Sequence, residues 1–246
     1  MQNQSSFDYT LYLADSALIL AQRNGEWCGH GPVLEQDIAI TNITLDLVGQ
    51  ARSLYQYAAQ LKADGSTEDS LAYLRTEREF KNCLLVEQPN GDWAQTVLRQ
   101  FLFSAYQHQL YQHLLTNSDT TLAGIAEKSL KEVAYHLRWS SEWVIRLGDG
   151  TAESHKRIQK AAEELWKYTG ELFVPASYEK ECGADCASFK YEWSKKIKTV
   201  FDEATLTIPA NVYMQQGGKT GTHTEQLGYI LSEMQYMQRV YPGCEW

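Results

Sequence analysis

Two short segments of this chain resemble each other and carry acids at a spacing that helical metal sites use. They are Asp46–Arg52 and Glu132–Arg138, with the sequences DLVGQAR and EVAYHLR. Each begins with an acid, continues with two apolar residues, has Gln or His four positions after the acid, and ends in Arg. An acid followed by a second ligand on the same helix face, occurring twice, is typical of four-helix proteins that hold two metal ions between carboxylates. We call this pair of segments the echo.

The echo lacks the histidines that such a site requires. The His of the metal-binding pattern stands three residues after the acid, and these positions are Gly49 and Tyr135. The third long predicted helix, over 93–118, contains no Asp or Glu at all. We therefore interpret the echo as a degenerate dinuclear site and expect no metal in this chain. A bound metal that uses His136 as a displaced ligand is the alternative.

The polar side chains of the degenerate site are expected to bond to one another. A carboxylate on an apolar helix stripe needs a hydrogen bond or an ion pair, and Asp15 lies on the stripe of the first predicted helix. The sequence thus predicts a buried polar network across a helix bundle. Its predicted members are Asp15, Asp46, Gln50, Glu132 and His136, joined by Arg52 and Arg138.

Apolar residues three and four positions apart predict that these side chains lie on helices. The predicted helices cover about 7–23, from Pro32 to 62, 70–82, 92–116, 119–147, 153–173, 186–205 and 222–241. Thr222 and Glu225 have the spacing of a capping box for the last helix. No segment alternates like a strand. The predicted fold is all-α, a four-helix bundle with additional helices in a single domain over 1–246.

Composition excludes several classes of function. The net charge of −9 argues against a nucleic-acid binder, which needs a basic patch. No apolar run reaches the ~18 residues of a membrane span, and the polar N-terminus does not read as a signal peptide. The five cysteines lack paired metal-ligand spacing, so reduced thiols in the cytoplasm are expected.

Two basic motifs invite a phosphate-binding interpretation. Gly218-Lys219-Thr220 resembles the end of a phosphate-binding loop, but Tyr213 stands where that motif requires Gly, and no strand precedes it. The loop could still hold an anion through its backbone N–H groups, although an interhelical turn explains it as well. Two interpretations are open for Arg75, Arg78 and Lys81. They form either a solvated charged face or a basic surface that binds the phosphorylated tail of a ligand.

Longer stretches of the chain resemble the C subunit of bacterial phenylacetyl-CoA 1,2-epoxidase. They are EWCGHGPVLEQDIAITNITLDLVGQAR (26–52), FKNCLLVEQPNGDWAQTVLRQ (80–100), KEVAYHLRWS (131–140) and GGKTGTHTEQLGYILSEMQYMQRVYPG (217–243). The resemblance spans essentially the whole chain and implies a ferritin-like fold. It also implies a multicomponent monooxygenase that converts phenylacetyl-CoA to its ring 1,2-epoxide with O2 and NADPH in phenylacetate degradation.

The resemblance assigns the chemistry to another chain. In that family the di-iron centre belongs to the catalytic A subunit, with which the C subunit pairs as a structural, non-catalytic partner. A reductase supplies electrons, and a further small subunit bridges the assembly. The resemblance also implies that the coenzyme A tail of the substrate passes near Glu79, Phe80, Lys81 and Asn82.

The main hypothesis is therefore a metal-free helical subunit that stabilises a di-iron subunit. The competing hypothesis is an autonomous di-iron oxygenase or iron-binding protein that uses Asp15, Asp46, Glu132 and His136. A helical adaptor unrelated to catalysis is a third possibility. Metal content and binding to an oxygenase component discriminate among the three.

Overall fold

The structure, a computed structural model, describes residues 2–244, and every regular segment among them is helical. The all-α fold predicted from the sequence is confirmed. The helices are α1 (Gln2–Gly25), α2 (Leu34–Lys62), α3 (Glu68–Tyr73), α4 (Leu84–Glu87), α5 (Trp93–Leu114), α6 (Thr120–Gly148), α7 (Ala152–Leu165), α8 (Ser177–Glu181), α9 (Cys186–Glu203), α10 (Glu225–Met234) and α11 (Tyr236–Val240).

The chain divides into two compact units. The first unit contains the residues up to Glu87, the segment Ala176–Gly183 and the C-terminal segment from Gly217. The second unit contains Gln88–Pro175 and Ala184–Gln216. The single domain expected over 1–246 stays a prediction.

In the first unit, α1 and α2 form an antiparallel pair. The amide of Asn3, near the start of α1, donates to the carbonyl of Leu61, near the end of α2. Every residue of α1 from Tyr9 to Ala21 is buried, which is typical of a helix that other elements cover on all sides. Residues at helical spacing along the inner face of α2 are buried as the sequence predicts, namely Ile40, Ile43, Leu47, Ala51, Leu54 and Ala58.

In the second unit, α5 is the most buried element, and α6, α7 and α9 pack against it. The ring of Trp93, at the start of α5, meets Trp139 and Trp143 of α6 edge-on at centroid distances of 6.0 Å. Both long helices begin at an aspartate. Asp92 accepts the N–H of Gln95, and Asp119 accepts two N–H groups of the first turn of α6, so both caps satisfy backbone donors that a helix start leaves free.

Three predicted boundaries are wrong. The helix expected over 70–82 is interrupted after α3, and the chain passes through a 3-10 turn at Glu77–Glu79 into an extended stretch. The helix expected over 153–173 ends at Leu165 and continues as 3-10 turns. The last helix begins at Glu225 with Thr224 as its N-cap, so the predicted capping box at Thr222 does not form.

Candidate functional site

Asp15 of α1 lies at the centre of the first buried ion pair. Its carboxylate is fully buried and accepts the hydroxyl of Tyr55 at 2.6 Å and the backbone N–H of Lys81 at 2.8 Å. Both terminal guanidinium nitrogens of Arg75 donate to it as well, one of them at 3.0 Å. Four donors fill the acceptor positions of a carboxylate. Asp15 therefore has no oxygen lone pair left for a metal, and it ties α2 and the segment after α3 to α1.

The charges of this pair shift the pKa values of its neighbours. Burial and then the charge of Asp15 raise the pKa of Tyr55 well above 10, so its hydroxyl stays protonated and donates. Burial lowers the pKa of Arg75, but the charge of Asp15 raises it further, and the net direction is upward. Arg75 also lies over the ring of Phe80, 4.2 Å from its centroid. The guanidinium of Arg75 is thus held between the carboxylate of Asp15 and the ring of Phe80.

Glu87, at the end of α4, forms the second buried ion pair. Its fully buried carboxylate accepts the side-chain amide of Asn82 at 2.9 Å, and the N–H and the hydroxyl of Thr224 at 2.7 Å each. Nδ1 of His223 lies 2.8 Å from the same carboxylate, and Nε2 lies 2.9 Å from the carbonyl oxygen of Phe80. Since both oxygens only accept, both ring nitrogens donate. This arrangement therefore favours the imidazolium form of His223.

The pKa of His223 agrees with this protonation state. Burial lowers the pKa, but the hydrogen bond and the charge of Glu87, together with the carbonyl of Phe80, raise it, and the net shift is upward from 6.5. The neutral ring would place a lone pair against one of the two acceptors. The 217–226 segment is thus fastened to α4 by a charged contact whose strength depends on one proton.

Lys219 and Glu179 form the third buried ion pair. The ammonium lies 3.0 and 2.9 Å from the two carboxylate oxygens, and both side chains are almost fully buried. Glu179 also accepts the N–H of Ala176 at 2.8 Å, and the hydroxyl of Tyr178 donates to the carbonyl of Lys219 at 2.9 Å. The ring of Tyr12 lies below the ammonium, 4.9 Å away. This lysine is therefore occupied within the fold.

The pair of Lys219 with Glu179 lies at the glycine-rich loop 217–221, where the sequence suggested an anion site. Gly218–Thr220 forms a single 3-10 turn, and the N–H groups of Thr220, Gly221 and Thr222 donate to carbonyls inside the loop. Gly221 has a φ of 82°, and a Cβ there would come 2.3 Å from the carbonyl oxygen of Arg78. The loop is a tight interhelical turn, and those three N–H groups are already used.

The structure places the predicted network residues in separate units. Asp46 and Gln50 lie on α2 in the first unit, and Glu132 and His136 lie on α6 in the second. In both halves of the echo the acid is half-buried and the residue four positions later is buried. A network that joins these four residues stays a prediction. Asp15, its fifth member, instead bonds to Tyr55, Arg75 and Lys81 as described above.

The two arginines of the echo do not belong to a buried network. Arg52 is exposed and pairs with Glu68 at 3.0 Å. Arg138 is exposed and lies 5.7 Å from the ring centroid of Tyr135. Their predicted role is therefore wrong. Both interpretations of Arg75, as part of a solvated charged face or of a basic surface that binds a phosphorylated tail, are also wrong. Its guanidinium is buried against Asp15.

The four residues expected near a coenzyme A tail have different surroundings. Phe80 and Asn82 are fully buried, the first under a guanidinium and the second against Glu87. Glu79 is exposed, but its carboxylate accepts the N–H and the hydroxyl of Thr76, each at 2.7 Å. In this conformation a ligand can therefore reach the side chains of Glu79 and Lys81, whereas Phe80 and Asn82 serve the fold.

Among the described residues, the acids do not form the cluster that a dinuclear iron site requires. Across residues 2–244 the described side chains include no group of three or more His, Cys, Asp or Glu residues arranged to hold a metal ion. Asp15 is saturated by protein donors. Gly49 has no side chain and lies on the exposed face of α2, and Tyr135, at the matching position of α6, is 37% exposed.

Sequence reasoning predicted none of the three pairings. It identified Asp15 as a buried acid in need of a partner, but it assigned no role to Glu87, Glu179 or His223. The only available signal was indirect, since the 217–243 stretch was one of the strings that carried the family resemblance.

Comparison with known proteins places the chain in a family. Residues 1–246 match the model of the phenylacetic acid catabolic protein family, whose fold is ferritin-like. The chain is 47% identical over 243 residues to the C subunit of the 1,2-phenylacetyl-CoA epoxidase of Escherichia coli (strain K12), an alignment that covers 97% of this chain and 98% of that protein. Over the residues that the structure describes, no helix is both long and apolar enough to cross a membrane. The chain belongs to the phenylacetic acid catabolic protein family.

Proposed function

We propose that this chain is the structural, non-catalytic subunit of a phenylacetyl-CoA 1,2-epoxidase, and that it binds and stabilises the subunit that carries the di-iron centre. The main support for the proposal is that the acids at the positions of a metal site are bonded to protein groups or lack a neighbouring ligand. Asp15 is saturated by four donors, and the position three residues after Asp46, where a ligand would stand, has no side chain. The resemblance to an epoxidase subunit supports the same assignment.

Within the proposed complex this chain performs no chemical step. The Lys219–Glu179 pair joins the segments 176–183 and 217–226, and the His223–Glu87 pair fastens the second of them to α4. The first unit thus presents these segments together to the catalytic subunit. The di-iron centre, when bound in that subunit, activates O2. A reductase and a small bridging subunit complete the proposed assembly, and no cofactor is expected in this chain.

The experiment that tests the proposal measures complex formation and metal content together. The chain and the catalytic subunit are purified separately and mixed, and the mass of the complex is determined by light scattering after size exclusion. We expect a stable hetero-oligomer that epoxidises phenylacetyl-CoA once the reductase is added. Iron should accompany the catalytic subunit and be absent from this chain.

Two results would contradict the proposal. One is a chain that stays free of the catalytic subunit at micromolar concentrations. The other is about two iron atoms per molecule of this chain alone, lost on Glu132→Ala, which would favour an autonomous di-iron protein.

We further propose that the coenzyme A tail of the substrate contacts Lys81. Its ammonium is half-buried, 3.4 Å from the carboxylate of Asp8, and a phosphate could compete for it. In the assembled enzyme, Lys81→Met should then raise KM for phenylacetyl-CoA and leave kcat unchanged. The matched control is Lys62→Met, on the end of α2. Equal KM values for both variants and the wild type would exclude the contact.

A further inference from the structure

The outward face of α2 carries a continuous apolar stripe. We define the outer stripe as Leu34, Ile38, Thr41, Leu45 and Val48, whose spacings are four, three, four and three residues. Leu34 is 72% exposed, Ile38 51%, Leu45 63% and Val48 40%. Thr41 buries its hydroxyl oxygen, so its exposed surface comes from other atoms. At 1.5 Å per residue the stripe extends over about 21 Å.

This stripe is distinct from the apolar face that stabilises the fold. The inner face of α2, which includes Ile40, Ile43 and Leu47, is fully buried. Single exposed apolar residues are ordinary, but a contiguous row of them marks an interaction surface. Alternating spacings of three and four residues form the seam along which two helices pack with their side chains interdigitated. The shape and period of the outer stripe therefore fit another helix.

A cavity lies at the C-terminal end of the outer stripe. It has a volume of about 120 Å³ and is lined by residues of α1, α2 and α3, with Leu18, Val48, Ala51, Tyr55, Ala72 and Tyr73 beside the charged Arg52, Glu68 and Asp69. All of its lining residues belong to the first unit. The cavity is large enough for one apolar side chain of a bound helix, and an anchor side chain in such a pocket is the usual centre of an interface.

The charges beside the outer stripe indicate which kind of protein binds there. Glu35 and Asp37 flank its first turn, and hydrogen bonds from Gly31 and Gly29 lower the pKa of Asp37, so this acid is ionised at neutral pH. In a symmetric pairing of two outer stripes, α2 of the second copy offers these acids no cation that is not already paired. The basic residues of α2 are Arg52 and Lys62, and both already form ion pairs, while each copy has a net charge of −9. The stripe therefore suits a different protein with basic residues at this end.

We propose that the outer stripe binds an amphipathic helix of a partner subunit, one with apolar residues at heptad spacing and Lys or Arg beside Glu35 and Asp37. This inference rests on the proposed function, under which the partner is the catalytic subunit. The partner helix lies along α2 and places one large apolar side chain in the cavity beside Val48.

The test compares two exposed apolar residues of the first unit. Leu45 is 63% exposed on the stripe, and Tyr229 is 61% exposed on α10. Each is replaced by Asp in the full chain, and the Kd for the purified catalytic subunit is measured by titration calorimetry. We expect Leu45→Asp to weaken binding by about 30-fold or more, as for a central interface residue, and Tyr229→Asp to change the Kd less than threefold. Unchanged circular dichroism of both free variants controls for folding.

A charge variant tests the predicted chemistry of the partner. Glu35→Lys should weaken binding, and its effect should fall as salt is raised, because the contact is at an exposed rim.

The outcomes separate this inference from the proposed function. If the wild-type chain does not bind the catalytic subunit, the proposed function fails and this inference fails with it. If the wild type binds and Leu45→Asp binds equally well, or if both Asp variants lose binding alike, only the location is wrong. A homodimer that Leu45→Asp dissociates, without any effect on the catalytic subunit, would show that the occupant is a second copy.

Discussion

Replacing Lys219 by Met is expected to destabilise the first unit strongly. The change removes two hydrogen bonds, of 3.0 and 2.9 Å, from the fully buried carboxylate of Glu179 and leaves it with the N–H of Ala176 as its remaining contact in this cluster. Removing one partner of a buried ion pair lowers the free energy of unfolding by about 3–5 kcal/mol, because the other charge stays buried and unpaired. The loss of the contact with the ring of Tyr12 acts in the same direction.

Urea denaturation followed by circular dichroism measures this effect. With an m-value of about 3 kcal/mol/M, the midpoint should fall by roughly 1–1.7 M. The double variant Lys219→Met/Glu179→Gln should recover part of the loss, since no charge is then stranded.

The control is Lys62→Met, which also removes a lysine that forms an ion pair at 3.0 Å and lies near an aromatic ring. That lysine is 40% exposed, and its midpoint should stay within error of the wild type. Equal shifts for the two lysines would refute the assignment of Lys219 to a buried structural pair.

Three further predictions use the same protein. Arg75→Met strands the buried carboxylate of Asp15 and should lower the free energy of unfolding by about 3–5 kcal/mol in the same urea assay; a loss below about 1 kcal/mol would contradict the saturated site. The pKa of His223 is raised in the folded state, so its contribution to stability is complete below pH 6.5 and is lost as the pH rises through the folded pKa. The stability difference between the wild type and His223→Gln should therefore shrink with rising pH, and a difference that grows would show that the ring is neutral. The double variant Gly49→His/Tyr135→His should bind no stoichiometric iron, as measured by metal analysis after dialysis, because both positions are exposed.

Local patterns predicted the long helices well because each depends on residues close in the chain. The end of α2 at Lys62 and the approximate spans of α5, α6 and α9 follow from apolar spacing and flanking polar residues. The helix expected over 70–82 failed for a tertiary reason. The chain there must extend so that the backbone N–H of Lys81 reaches Asp15 of α1, and that contact outweighs local propensity.

The candidate site was less predictable because its contacts join distant parts of the chain. The periodic pattern correctly showed that Asp15 is a buried acid that needs a partner, and Tyr55 on the neighbouring helix is one. The same pattern placed Arg75 on a charged surface, since Glu77 and Glu79 surround it. No local feature shows that Glu87 binds His223, because neither spacing nor composition encodes a pairing over such a separation.

The exposure of the echo residues bears on why Gly49 and Tyr135 are not metal ligands. In both segments the position three residues after the acid is exposed and the position four residues after it is buried. A histidine at Gly49 would thus point toward solvent. Gly49 directly follows Val48, the last residue of the outer stripe, and a Cβ added there would meet no atom of the neighbouring elements within 4 Å. A residue without a side chain permits close approach of another backbone. Under the proposed docking of a helix on the outer stripe, Gly49 therefore lets that helix approach the backbone of α2 closely at this end.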